Sequence, residues 1–309
     1  MNNPEVTFRP YEEKDTAALV GLSQAAARAD NVDLNSTIEN QPTEEQLSNP
    51  ELLIAEDAET GKILGYGAVR WWQEDDGTLV YLHSGTVHPD KRGKGAGTLL
   101  LQELQGRARE IATNRPGSKN VFGANASETD QGANELLTKD GYQKVWSAVE
   151  MKFTKLDELS RVHVPDGFEL RDVTSDEQKR QVYAANKRVY AGKFGSSQAS
   201  EGDYQEFLED NPDSSLWKVL WHDDMIAGFV LSRMRPNGAE VMEVSVMPEF
   251  RRRGLGSFLM IESLVELRQR GVGEIRLHTD AEGKMGGRQL YENLGFEPLK
   301  EHYRYRKEF

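Results

Sequence analysis

The chain has no cysteine among its 309 residues. That excludes disulfides, a thiol nucleophile and thiolate-bound metal. Histidine is sparse: His83, His88, His163, His222, His278 and His302 show no close ligand spacing, so no metal site is expected. No apolar run approaches the roughly 20 residues of a membrane-spanning helix, so no membrane partner is expected. The opening, MNNPEVTFRP, lacks a basic-then-apolar leader pattern, which points to a cytoplasmic setting. Basic residues are outnumbered and the formal net charge is −13, which argues against non-specific nucleic-acid binding. An acidic surface keeps a chain soluble and weakly attracts a cationic acceptor such as an amine. Neither a Gly-x-Ser-x-Gly elbow nor a P-loop occurs. At 37% hydrophobic and 29% charged residues, the chain reads as globular and rather polar.

What is present centres on Val246 to Met260, VMPEFRRRGLGSFLM. A strand end, a Pro-marked turn and a basic, Gly-rich loop lead into an apolar helical run. Such a loop aims several backbone N–H groups at one point, and the helix adds the positive end of its dipole. Gly254 and Gly256 leave room for a ligand against the backbone. The expected ligand is an anion of pyrophosphate type. Its candidate contacts are Val246, Met247, Arg251, Arg252, Arg253, Gly254, Leu255, Gly256 and Ser257.

The same pattern occurs earlier, in Val87 to Leu101, VHPDKRGKGAGTLLL. Arg92, Gly95 and Gly97 take the places of Arg251, Gly254 and Gly256. The weaker candidate contacts of this copy are Val87, Arg92, Gly93, Lys94, Gly95, Ala96, Gly97 and Thr98. Phe8-Arg9 matches Leu170-Arg171, and Asp140-Gly141-Tyr142 matches Leu294-Gly295-Phe296, in the same order. This is a duplication of domain size, and the length agrees with two domains. The expected domains are residues 1–155 and 166–309, divided by the polar stretch Leu156 to Asp166.

Periodicity gives each half one order of elements. In the first half a strand (Val6 to Arg9) and a helix (Thr16 to Ala29) precede a short helix, Thr43 to Leu47. A hairpin (Leu52 to Glu56, Ile63 to Trp72) and a strand (Leu79 to Val87) feed the first Gly-rich loop. Helix, strand, short helix and terminal strands follow. The second half repeats this, with strands at Phe168 to Arg171, Trp217 to Trp221, Met225 to Met234, Ala239 to Val246, Glu274 to His278 and Tyr303 to Phe309. The fold class is α/β (α+β), a mixed sheet flanked by helices in each half.

These motifs resemble the GNAT family of N-acetyltransferases, and do so twice. The family's acyl-CoA loop reads Arg or Gln, two residues, Gly, one residue, Gly or Ala. Arg251-x-x-Gly254-x-Gly256 and Arg92-x-x-Gly95-x-Gly97 match it. Its closing motif, Leu-Tyr-x-x-x-Gly-Phe, is matched by Leu290 through Phe296. Two such domains in one chain also resemble tandem members of the family with an active C-terminal half. The resemblance implies two GNAT-type domains with mostly antiparallel sheets. It also implies acetyl-CoA as acyl donor and direct transfer to the amine of a small-molecule or peptide acceptor. Tyr291 stands where the family keeps its general acid. For the base the expected residue is Glu240, in the Ala-Glu context some members share; strand alternation puts it on one face with Met242, Val244 and Val246. Glu243 is the reserve.

The halves differ at the chemical positions. Leu137 stands in the place of Tyr291, and Tyr81 in that of Glu240. The first domain is therefore expected to be catalytically silent. In the second, Lys284 replaces an Asn frequent in relatives, and Gly286-Gly287 loosens the last helix start. A non-enzymatic CoA-binding or CoA-sensing protein is the alternative. Neither the acceptor's identity nor the oligomeric state is legible.

Overall fold

The computed structural model describes residues 6–30, 51–114, 119–196, 200–283 and 286–309. The expected helix at 43–47 and Lys284 lie outside them. The chain forms two compact units. One holds the described residues up to Trp146 together with His302–Phe309, and the other is Ser147–Glu301.

The first unit runs β1 (Val6–Pro10), α1 (Thr16–Ala29), β2 (Leu53–Asp57), β3 (Ile63–Gln73), β4 (Leu79–Val87), α2 (Ala96–Thr113), β5 (Asn120–Ser127) and α3 (Gln131–Lys139). Its strands lie in the order β1-β2-β3-β4-β5, antiparallel except for β4 and β5. The parallel step crosses over through α2, as parallel neighbours require. Leu104, Phe122 and Tyr81 sit at the middle of its core.

The second unit repeats the plan: β7 (Glu169–Arg171), α4 (Asp176–Tyr190), α5 (Glu201–Asp210), β8 (Lys218–His222), β9 (Met225–Arg235), β10 (Gly238–Val246), α6 (Leu255–Gln269), β11 (Ile275–Asp280) and α7 (Gly287–Leu294). Its order is β7-β8-β9-β10-β11, with β10 and β11 the parallel pair. Phe229, Leu231, Leu259 and Leu264 are fully buried in its core.

The units are not the two halves of the sequence. The strand that closes each sheet comes from the other half. Residues 148–153 of β6 (Gln143–Phe153) pair with β11. Residues 302–308 of β12 (Glu297–Glu308) pair with β5. The boundary of the compact units falls at Trp146 and Ser147, before the expected Leu156-to-Asp166 divide. That polar stretch belongs to the second unit: Leu156 is buried, and the Arg268 Nη1 donates to the carbonyls of Leu156 and Leu159 at 3.1 and 2.7 Å. A ladder is made of backbone groups common to every residue. Composition therefore marks the polar stretch but not which sheet edge a strand joins.

Both parallel pairs stop short. β4 and β5 pair only over Leu79–Leu82, and β10 and β11 only over Ala239–Val241. Past those points, toward the Gly-rich loop, the two strands of each pair no longer hydrogen-bond to each other. One glycine in each unit lets the neighbouring strand close on that loop. A Cβ on Gly228 would stand 2.7 Å from the Ser245 carbonyl oxygen, and one on Gly65 2.6 Å from that of Thr86.

Candidate active site

The helix after each Gly-rich loop starts in the same way. Gly254 (φ 77°) and Gly95 (φ 93°) occupy the left-handed region at the N-caps of α6 and α2, and no side chain caps either helix. The first four N–H groups of a helix have no intrahelical partner. By contrast, Ser175 and Ser200 cap α4 and α5 through capping boxes. The loop helices thus have no side-chain cap on their first amides. Arg252 also lies at φ 64°, a conformation that costs a non-glycine residue about 1–2 kcal/mol.

The two loop arginines share one contact and differ in another. The Arg251 Nε donates to the Val246 carbonyl at 2.9 Å, and the Arg92 Nε to the Val87 carbonyl at 3.0 Å. In the first unit the rest of the Arg92 guanidinium is taken by Asp30 through both of its oxygens. Arg251, Arg252 and Arg253 are exposed, with the Arg253 guanidinium over the Phe250 ring.

In the second unit, strand register sets the face on which each carboxylate of β10 lies. Val241 pairs with Ser232 and Glu243 with Leu231, so Met242 is an extra residue in β10. Such a bulge reverses the alternation. Glu240, Glu243 and Ser245 share one face of β10, while Val241, Val244 and Val246 share the other. The expectation that Glu240 and Glu243 point oppositely fails here, because simple alternation assumes no inserted residue. β4 has no bulge in its pairing with β3.

The Glu240 carboxylate is committed to ion pairs. It accepts from Arg233 Nη2 at 3.1 Å and from Arg235 Nε at 2.9 Å, and His278 Nδ1 stands 3.5 Å away. Burial works to raise its pKa, but His278, Arg235 and Arg233 outweigh burial and hold it at about 2. So weak a base is a poor proton acceptor. Replacing it with Gln should cost about 1–3 kcal/mol of stability, because two arginines lose a partly buried partner. Denaturant unfolding measures this, and the transfer rate per folded molecule should stay near wild type.

Glu243 is in the opposite condition. Its Oε2 is buried without a hydrogen-bond partner among the described residues. Burial pushes the carboxyl up to about 7, offset in part by Tyr190, Asn186 and Lys193. Tyr291 faces the same place: it is 7% exposed, and burial, then the nearby Glu243 charge, raise its phenol well above the usual range. The ring packs edge-on against Phe296, centroids 5.9 Å apart. A Cβ on Gly287 would lie 3.6 Å from the Tyr291 hydroxyl, so the paired glycines at the start of α7 leave room beside it. Asn186 and Tyr190, one turn apart on α4, cover this face from above. The sequence named neither Asn186, Tyr190 nor Lys193; helical spacing could have grouped the first two only once α4 was known to face β10, and Lys193 lies past the end of the helix.

The first unit lacks this pairing. By the offset that matches the two loops, Ser84 stands where Glu243 does. Leu137, at the Tyr291 position, is buried in the core. Among the described residues no helix is long and apolar enough to cross a membrane.

Parallel strands that part beside an uncapped Gly-rich loop, with a buried carboxyl and a buried phenol between them, are the features the second unit offers for acyl transfer. The profile of the acetyltransferase (GNAT) family matches residues 24–142 and again 180–296, and the chain belongs to that family as a tandem member and an acetyltransferase. The chain resembles mycothiol acetyltransferases: it is 26% identical to that of Saccharopolyspora erythraea, over 94% of this chain and 95% of the relative. The mycothiol acetyltransferase of Kytococcus sedentarius is 25% identical, over 96% of each chain. A crystal structure of a GCN5-related N-acetyltransferase from Sphaerobacter thermophilus shares the fold at TM-score 0.79 and 22% identity, covering 99% of this chain and 97% of that one. A tandem GNAT protein from the clavulanic acid biosynthesis pathway does so at TM-score 0.66 and 17% identity, covering 98% of each.

Proposed function

We propose that the second unit transfers an acetyl group from acetyl-CoA to the amine of a small-molecule acceptor, and that the first unit is catalytically silent. The observation that carries this is Glu243 facing Tyr291 where β10 and β11 part. Acetyl-CoA supplies the activated thioester. Backbone amides of residues 252–257 and the arginine triplet suit its pyrophosphate, and the unpaired end of β10 suits its pantetheine arm. Glu243 removes a proton from the acceptor ammonium, so that nitrogen bonds to the acyl carbon as the carbon–sulfur bond breaks. Tyr291 gives its proton to the departing sulfur, and the second proton that the nitrogen sheds as the amide forms restores the phenol. Its raised pKa keeps it protonated near neutrality, as a general acid must be. Glu240, chosen from the sequence, becomes a structural ion-pair partner in this reading.

The relatives' name supports a second, narrower reading, a mycothiol-synthase-type enzyme acting on a cysteinyl amino sugar. Cytoplasmic placement is proposed on the same footing.

The absence of cysteine makes the test direct, since a thiol reagent reads only released CoA. Wild type with acetyl-CoA and a panel of thiol-free amines should release thiol in step with amide formation; for the cysteinyl amino sugar, which has a thiol of its own, amide formation is followed by mass. No transfer to any amine would overturn the reading. Arg251→Ala should raise the KM for acetyl-CoA roughly tenfold, the loss of a charged hydrogen bond. Arg92→Ala should lower stability and leave that KM unchanged, because Asp30 already occupies the guanidinium.

A further inference from the structure

The face of β10 that carries the base also carries polar atoms that the transfer step does not use. Asn186 is 9% exposed and Ser245 2% exposed, and among the described residues neither the Asn186 Nδ2 nor the Ser245 Oγ makes a hydrogen bond of good geometry; their polar neighbours are Glu243 and Tyr190. The Tyr190 hydroxyl faces both Glu243 and Ser245, and the Asn186 amide faces Glu243. The Lys193 ammonium stands 4.5 Å from the centre of the Tyr190 ring. Buried donors and acceptors are paired in nearly all folded proteins. A group of them left open beside a catalytic carboxylate is the complement of a polar ligand.

Each atom constrains that ligand. Glu243 Oε2 takes an N–H, which is the reacting amine. Asn186 Nδ2 can only donate, so its partner is an oxygen that accepts. Asn186 and Glu243 are near neighbours, so that oxygen lies within two or three bonds of the amine nitrogen. A plain alkyl amine would leave the buried Asn186 and Ser245 with only their loose contacts to Glu243 and Tyr190. Such a cost separates substrates more sharply than a missing methylene does.

We propose that Asn186, with Ser245 beside it, selects acceptors whose amine has a neighbouring carbonyl or hydroxyl oxygen. The acceptor class is the α-amino carbonyls and β-amino alcohols, amino sugars among the latter. The inference rests on the acetyl-transfer reading and deepens it.

The experiment compares kcat/KM per unit of free-base amine, which removes their differing basicities, for glycinamide, ethanolamine and n-propylamine at saturating acetyl-CoA. Wild type should favour the oxygen-bearing amines over n-propylamine by about tenfold to a hundredfold, the range for one unmet buried hydrogen bond. Glycinamide against ethanolamine tells carbonyl from hydroxyl. In Asn186→Leu the preference should fall toward one, and in Ser245→Ala it should fall less. Equal wild-type rates on all three amines, or a preference that survives Asn186→Leu, would overturn the proposal. If Asn186→Leu does not fold, the wild-type ratio and Ser245→Ala still decide. Acetyl-CoA binding with no transfer to any amine would instead sink the parent reading, and this proposal with it.

Discussion

Glu243→Gln should lower kcat/KM by about 10²–10⁴, the usual contribution of a positioned base. Two further readouts separate this from structural damage. The first is pH. With the carboxyl raised to about 7, the fraction of Glu243 able to take a proton rises with pH up to that point. The ratio of wild-type to variant activity should grow tenfold per pH unit below about 7 and level off above. Taking the ratio removes the acceptor's own ionisation.

The second readout is stability. An acid raised above its unfolded value of 4.5 binds more protons in the folded state, so folding weakens as pH rises between 4.5 and about 7. Glutamine carries no such penalty. Well above pH 7 the variant should therefore be more stable than wild type by roughly 3 kcal/mol, for a rise from 4.5 to about 7 at about 1.4 kcal/mol per pKa unit. Below about pH 4.5 the difference should vanish. Inactive yet more stable is the signature of a group held for chemistry. An inactive and less stable variant would assign Glu243 to the core instead.

Tyr291→Phe should lower kcat by about 10²–10³ while the ring keeps its packing on Phe296. The loss should depend on the leaving group. A thiolate of ordinary basicity needs the proton, whereas that of an aryl thioester leaves without it. The defect should shrink severalfold when an acetyl aryl thioester replaces acetyl-CoA. A uniform defect with both donors would make Tyr291 a packing residue. Because burial and the Glu243 charge both hold the phenol protonated, no loss of wild-type kcat on the alkaline side is expected up to pH 10.

Element order, the duplication and both loops were legible because each rests on local patterns. The helix at Thr16–Ala29 and the strand at Leu79–Val87 fall where periodicity puts them. Gly254 and Gly95 read as ligand-loop glycines and adopt the left-handed backbone that only glycine takes freely. Two features were illegible for one reason: hydrogen-bond ladders are indifferent to side chains. Nothing in Val241-Met242-Glu243 announces an inserted residue, yet it puts Glu240 and Glu243 on one face, where, among the described residues, ion pairs engage the first and not the second. Nothing in Gln143–Phe153 announces that this strand completes the sheet of the second unit. The Arg92–Asp30 pair was hidden because it joins residues far apart in sequence.

The central claim is that the Gly-rich loop of the second unit presents an acyl donor to Glu243 and Tyr291. A crystal grown with CoA tests it most directly. The account predicts diphosphate density against the amides of residues 252–257 and the CoA sulfur within reach of the Tyr291 hydroxyl. Diphosphate at residues 92–98 alone, or a sulfur far from Tyr291, would contradict it.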